Sequence, residues 1–225
     1  MKVLYLGHAG FQFEAGEIRI LVDPFITQNP SCPIKLEKLE PPTLILVTHA
    51  HADHLGDAIE ISKRTSSPIV AIHEIATYAE LNGAVAEGMN IGGSIKIKGV
   101  EIYMTDARHS SSIDNKCGGN SAGFIFNLED KYIYHAGDTG IFGDMKLLGE
   151  LYDIHLALLP IGDRYTMGTK HAALAVKYLN PRYVIPMHYN TFPIIQQDPN
   201  KFKRVVEETT DTKVVILNPG ESTEL

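Results

Sequence analysis

Apolar residues along this chain follow two periods, and the change from one to the other happens twice. Residues 3–6, 10–14 and 18–22 are short apolar runs separated by glycine-containing turns, the pattern of a strand meander. Thr43-Leu44-Ile45-Leu46-Val47 is apolar almost throughout, as in a strand buried on both faces. The spacing of Leu55, Ala58, Ile59 and Ile61 predicts a helix over 55–64. A strand over 68–72 and a short helix over 74–81 follow. A second meander then begins. Strands are predicted at 94–98 and 100–104, joined at Gly99, and at 121–128 and 131–135, joined through Glu129 and Asp130. Helices at 142–151, 169–179 and 199–209 then alternate with strands at 154–159, 183–186 and 213–217. The plan of a meander followed by βα units thus occurs twice. It predicts an α+β fold of two related halves, packed sheet against sheet with helices outside. A chain of 225 residues accommodates this as one domain over 1–225.

Two segments carry no regular period. Residues 25–42 are rich in proline and polar side chains and are expected to be a mobile loop or an interaction surface, which could serve homo-oligomer formation. Residues 105–120 are a polar loop carrying His109. Selectivity for substrate is expected to lie in these two segments.

Composition narrows the class. At 44% hydrophobic residues the chain can build a full core. No run approaches the ~20 apolar residues that span a bilayer, so no membrane partner is expected. The start, Met1-Lys2-Val3-Leu4-Tyr5-Leu6-Gly7-His8, reads as a strand rather than a cleavable export signal. The net charge of -7, with no long basic block, argues against a nucleic-acid partner. Cys32 and Cys117 are isolated, which with the missing signal suggests a reducing cytoplasm.

The chemistry is concentrated in Thr48-His49-Ala50-His51-Ala52-Asp53-His54. Three imidazoles and a carboxylate fall within six residues, directly after a buried strand. Packing does not explain such a group, and the imidazoles would repel once protonated. A divalent cation removes the conflict, because neutral imidazole and carboxylate are its ligands. His109, Asp138 and His188 also follow predicted strands, where loops from several strands converge on one edge. Seven nitrogen and oxygen ligands exceed one tetrahedral site and suit two adjacent ions. Structural zinc sites are typically closed and cysteine-rich. A set on loops without cysteine points instead to an open, catalytic site.

The pattern His49-x-His51-x-Asp53-His54, then His109, Asp138 and His188, resembles the metallo-β-lactamase superfamily over nearly the whole chain. Gly7-His8-Ala9-Gly10, His135-Ala136-Gly137-Asp138-Thr139, Pro160-Ile161-Gly162-Asp163, Thr166-Met167-Gly168 and Pro186-Met187-His188-Tyr189-Asn190-Thr191-Phe192-Pro193 resemble, more narrowly, a subfamily of cytoplasmic metal-dependent hydrolases near the ascorbate-6-phosphate lactonases. The resemblance implies a four-layer αββα sandwich with the metals at one edge. It implies that His49, His51 and His109 hold one ion, that Asp53, His54 and His188 hold the other, and that Asp138 bridges them. Zinc is the first expectation, with manganese, iron or nickel compatible with the same ligand types. A water between two such ions loses its proton near neutral pH, and the hydroxide attacks a carbonyl carbon or phosphorus.

Other residues admit two readings each. Asp23 either accepts a hydrogen bond that fixes a ligand imidazole or caps the turn before Pro24. Thr48 either supports a ligand or ends the strand. His8, as a catalytic residue beside Asp53, would touch substrate or donate a proton; as an ordinary residue it sits in a turn. His135 is read as a supporting or packing group. Tyr189, Asn190 and Thr191 would line the pocket or supply an oxyanion donor. His73, His155 and His171 are read as structural or surface groups, Arg164 and Lys170 as solvated charge, and Cys117 as inert.

The function expected from these residues is a binuclear hydrolase using a metal-bridging hydroxide on a small molecule: a lactone, an ester or a phosphorylated metabolite. Three alternatives stand beside it. A nuclease of the tRNA-processing type shares the HxHxDH core but needs a basic surface and an RNA-binding arm. A di-iron oxidoreductase typically carries glutamate where His51 stands. A non-catalytic metal-binding protein would be favoured by loss of Asp53 or Asp138, and both are present.

Overall fold

The computed structural model describes residues 1–114 and 116–225. The first half contains β1 (Lys2–Gly7), β2 (Gly10–Ala15), β3 (Ile18–Val22), β4 (Leu44–Leu46), α1 (Ala52–Leu55), α2 (Ala58–Thr65), β5 (Ile69–Ile72), α3 (His73–Leu81) and β6 (Ala86–Met89). The second contains β7 (Ser94–Ile97), β8 (Val100–Asp106), β9 (Ser112–Ile113), β10 (Lys116–Cys117), β11 (Ala122–Leu128), β12 (Lys131–His135), α4 (Met145–Leu151), β13 (Ile154–Pro160), α5 (Thr169–Leu179), β14 (Tyr183–Met187), α6 (Pro199–Thr209), β15 (Lys213–Val214) and β16 (Ser222–Glu224). One seven-stranded sheet runs β16-β1-β2-β3-β4-β5-β6 and the other β15-β14-β13-β12-β11-β8-β7. Each sheet is antiparallel through its meander and parallel through its βα units.

The alternation of side chains along each strand builds the layers. In β11 and β13, Phe124, Phe126, Leu156 and Leu158 join the core shared with Phe11, Phe13 and Ile20 of the first sheet. The rings of Phe13 and Phe126 meet edge to face at 5.2 Å between centroids, so the two sheets touch directly. The intervening Ile125, Ala157 and Leu159 join a second core with Met145 of α4, Ala172 and Val176 of α5, and Phe202 and Val206 of α6. Ala58, Ile61, Ile75 and Ala79 of α2 and α3 pack on the first sheet. The result is the expected α+β sandwich. Among the described residues no helix is long and apolar enough to cross a membrane.

Local differences from the expected elements have physical causes. The helix expected over 55–64 is two, α1 and α2, broken at Gly56, whose φ is +46°. A Cβ on Gly56 would run into the Pro24 carbonyl, so this turn requires glycine. The loop expected over 105–120 contains the short ribbon β9–β10. The helix expected over 142–151 starts at Met145, and the strand expected over 213–217 ends at Val214.

Strand direction positions the site. β3 runs with β4 in the first sheet, and β1 runs the same way because each is antiparallel to β2. In the second sheet β8, β12, β13 and β14 share one direction. The segments after β1, β3, β4, β8, β12 and β14 carry His8, Asp23, His49–His54, His109, Asp138 and His188. These segments are what the two parallel arrays deliver to a common edge.

Candidate metal centre

The segment after β4 leaves the strand extended and turns into α1 at His51, so successive side chains diverge. His49 and His51 point to one side: His49 Nε2 and His51 Nδ1 are 3.0 Å apart. Ligand atoms of His49, His51 and His109 lie within 4.8 Å of one another. Donors around a tetrahedral zinc are about 3.3 Å apart for bonds of ~2.0 Å, so this spacing suits one shared ion. A second group within the same limit is His8, Asp53, His54 and His188. Asp138 lies between them. Its Oδ2 is 3.5 Å from His109 Nε2 and 3.0 Å from His188 Nε2, and its Oδ1 is 3.3 Å from His54 Nε2. All seven expected ligands are therefore brought together. The short segment ahead of Asp138 depends on Gly137, at φ +60°, where a Cβ would meet the Ala122 carbonyl oxygen at 2.6 Å.

Several atoms in this cluster are buried without a hydrogen-bond partner among the described residues: His54 Nε2, Asp138 Oδ1 and His188 Nδ1. Buried polar atoms are rarely left unpaired. Two of these orphans, His54 Nε2 and Asp138 Oδ1, lie 3.3 Å apart in the cluster and fit a divalent cation, for which imidazole with carboxylate is a suitable donor set.

Beneath the ligands lies a shared support. Asp23, fully buried, accepts from Thr48 N at 2.8 Å on Oδ1. Its Oδ2 accepts from Thr48 Oγ1 at 2.7 Å and from His54 Nδ1 at 2.8 Å. A carboxylate only accepts, so the Thr48 hydroxyl proton is committed to Asp23. Thr48 Oγ1 then accepts from His49 Nδ1, 3.0 Å away. Asp23 thus holds a proton on Nδ1 of both His49 and His54, so that Nε2 of each is the nitrogen turned toward the cluster.

His8 is nearly fully buried, and both ring nitrogens are engaged. Nε2 donates to Asp53 Oδ2 at 3.0 Å, and Nδ1 accepts from Thr191 Oγ1 at 2.9 Å. Its carbonyl accepts from His188 N at 2.7 Å, which ties the first strand end to the last ligand. His135 spans the two sheets: Nε2 donates to the Ala9 carbonyl at 2.9 Å. Asn190 accepts from Gln197 N, so of Tyr189, Asn190 and Thr191 only Thr191 hydrogen-bonds to a cluster residue. His73, His171, Arg164, Lys170 and Cys117 are exposed. The Thr191–His8 contact joins positions 183 residues apart, and no local pattern announces it.

Electrostatics separates the groups. Burial holds His49, His51 and His109 below the usual imidazole range, as neutral ligands require. Burial acts on His54 in the same direction, but the carboxylates of Asp138 and Asp23 outweigh it and hold its pKa well above the usual value. Burial would raise Asp138 and Asp53. The His188 and His54 imidazoles overturn this for Asp138, and the His8 hydrogen bond with His54 does so for Asp53, so both stay ionised.

A pH dependence follows. Burial pushes His8 down to about 4, whereas the unfolded chain takes up that proton near 6.5. Between these values the unfolded state binds more protons, so stability rises with pH across this window and falls on acidification. His49, His51, His109 and His135 act in the same sense; His54 opposes them. For chelator-treated protein we expect a loss of about 2 kcal/mol from His8 alone between pH 7 and pH 5. Urea unfolding at the two pH values checks this; equal or greater stability at pH 5 contradicts it.

Two seven-stranded sheets face to face, with a histidine–aspartate cluster at the edge where their parallel strands end, define a metallo-β-lactamase-fold protein. The sequence model of the beta-lactamase superfamily domain matches residues 18–189. The chain is 55% identical to a UPF0173 metal-dependent hydrolase of Methanosarcina barkeri over 229 aligned positions, covering 100% of this chain and 99% of the relative. It is 51% identical to a UPF0173 metal-dependent hydrolase of Methanopyrus kandleri, covering 100% of each. Among solved structures, Igni18, a metallo hydrolase of Ignicoccus hospitalis, superposes with a TM-score of 0.92 at 44% identity, over 100% of this chain and 98% of that one. The chain belongs to the beta-lactamase superfamily, within the group of metal-dependent hydrolases that these relatives form.

Proposed function

We infer that this hydrolase works with two divalent ions on a small-molecule substrate. The observation that carries the reading is the position of Asp138, one oxygen toward His109 and His188 and the other toward His54. In this reading His49, His51 and His109 would hold one ion, Asp53, His54 and His188 would hold the other, and Asp138 would serve both. Such a pair supplies Lewis acidity toward the scissile group and a water that ionises near neutral pH. Zinc suits the donor set best, with manganese, iron and nickel also compatible.

The chain's own residues prepare this chemistry. Asp23, directly and through Thr48, sets the tautomers of His54 and His49. His8 is neutral and spends its one ring proton on Asp53 Oδ2, leaving Oδ1 free to ligate. That makes it a positioning residue for Asp53 in place of the substrate contact or proton donor expected from the sequence. His51 and Asp53 are half-buried, so the cluster is approached from their side. A lactone, another ester and a phosphorylated metabolite all suit this chemistry. We place the protein in the cytoplasm, where the free thiols of Cys32 and Cys117 are stable.

The test is an activity screen of metal-reconstituted protein against lactones, aryl esters, phosphodiesters, β-lactams and RNA. Turnover of small esters or lactones, abolished by chelation and restored by metal, is the expected result. Hydrolysis of RNA alone would overturn the small-molecule reading.

A further inference from the structure

A hollow of about 340 Å³ opens beside the candidate metal centre. Ala50, Ala52 and Leu55, chain neighbours of His49, His51 and His54, line it together with Phe25, whose ring lies 5.8 Å from that of His8, so it adjoins the cluster. Phe25, Leu55 and Ile113 supply apolar wall. Tyr78 also lines it, its hydroxyl 3.4 Å from Asp114 Oδ2. Phe25 comes from the segment after β3 and Ile113 from the one after β8, the two from which selectivity is expected, and Leu55 and Tyr78 come from α1 and α3.

The charge of this hollow has one sign. Asp57 and Asp114 line it, and among the described residues no lysine or arginine does. Lys116 borders an adjoining hollow that shares Tyr78, Ile113 and Asp114 with this one. Asp57 is already satisfied: Oδ2 accepts from Ile26 N at 2.9 Å and Thr27 N at 2.8 Å, and Oδ1 from Thr27 Oγ1 at 2.6 Å. It therefore offers little to a substrate cation, while its charge still repels an anion. A phosphate or carboxylate on the non-reacting end of a substrate would find no arginine fork or lysine there. Apolar surface beside a few fixed polar groups is what a neutral ligand needs.

We propose that this hollow receives the uncharged, apolar part of an ester- or lactone-type substrate and disfavours substrates that carry an anionic group there. The proposal rests on the hydrolase reading and selects among its substrate classes. It disfavours phosphorylated metabolites.

The experiment compares p-nitrophenyl butyrate with p-nitrophenyl hemisuccinate, which have similar length but differ by one carboxylate. Both are assayed with protein shown to carry metal, in the parent and in Ser112→Lys. Ser112 is exposed, lines the hollow and lies outside the ligand set. The parent is expected to favour the neutral ester by about tenfold in kcat/KM, the scale of one unit-charge repulsion at a partly solvated site. Ser112→Lys should raise the anionic ester relative to the neutral one about tenfold, since it offsets one of the two aspartate charges that line the hollow. Preference of the parent for the hemisuccinate, or an unchanged ratio in Ser112→Lys, overturns the proposal and leaves the hydrolase reading intact. Inertness of metal-loaded protein toward both esters counts against that reading and removes the proposal with it.

Discussion

Asp138→Ala loses bound metal and hydrolytic activity together. The side chain stands within 3.5 Å of nitrogens from His54, His109 and His188, so its removal strikes both ligand groups at once. Loss of an outer hydrogen-bond partner typically costs 10- to 100-fold in metal affinity or activity, and loss of a shared ligand should exceed about 100-fold. The cluster also loses the charge that balances its imidazoles. Elemental mass spectrometry on the dialysed variant, with kcat/KM beside it, gives the result. Retention of both ions would refute the bridging role, whatever happened to the rate.

Asp23→Asn should do nearly as much damage from beneath the ligands. Asparagine keeps the shape and tolerates the positive φ of +45° at this position. Its carbonyl can still accept from Thr48 N, which puts the amide NH2 where Oδ2 stood. That group donates to His54 Nδ1 and to Thr48 Oγ1, where the carboxylate accepted. The His54 proton must move to Nε2, the atom needed for metal. The Thr48 hydroxyl, freed from Asp23, can donate to His49 Nδ1 and force the same change there. The expected loss in metal affinity is about 10- to 100-fold, and the unfolding midpoint of the chelated protein should fall as the buried Asp23–His54 pair is lost. Competition with a chromophoric chelator measures the first and thermal unfolding the second. Parent-like affinity would refute the tautomer argument.

Much of the fold can be read along the chain, and what cannot has identifiable causes. Helices α5 and α6 coincide with their expected ranges because their signals are local. Pro199 opens α6, and Asp198 accepts from Asn200 N at 2.9 Å as its cap. β6 and β16 escape notice because Ala-Glu-Gly-Met and Ser-Thr-Glu are partly exposed edge strands with little apolar pattern. β16 also pairs with β1 from the opposite end of the chain, a contact no local window contains. The break at Gly56 depends on the Pro24 carbonyl, a tertiary neighbour.

The site divides in the same way. The candidate ligands are visible because histidine and aspartate directly after apolar strands have no packing role to hide in. Asp23 and Thr48 are ambiguous until the parallel pairing of β3 with β4 sets them side by side. His8 shows what a sequence conceals. Its residue type suggests proton transfer, but burial and two hydrogen bonds leave it neutral and facing inward. Tyr78 and Ile113 gain meaning only where α3 and β9 meet across the hollow.

The central claim is that two ions act together in one centre. Titration of metal-free protein with zinc, following ions bound per chain by native mass spectrometry and ester hydrolysis in the same samples, tests it most directly. Activity is expected to keep rising to a plateau at two ions per chain. Full activity at one ion, with no second bound at saturation, would contradict it.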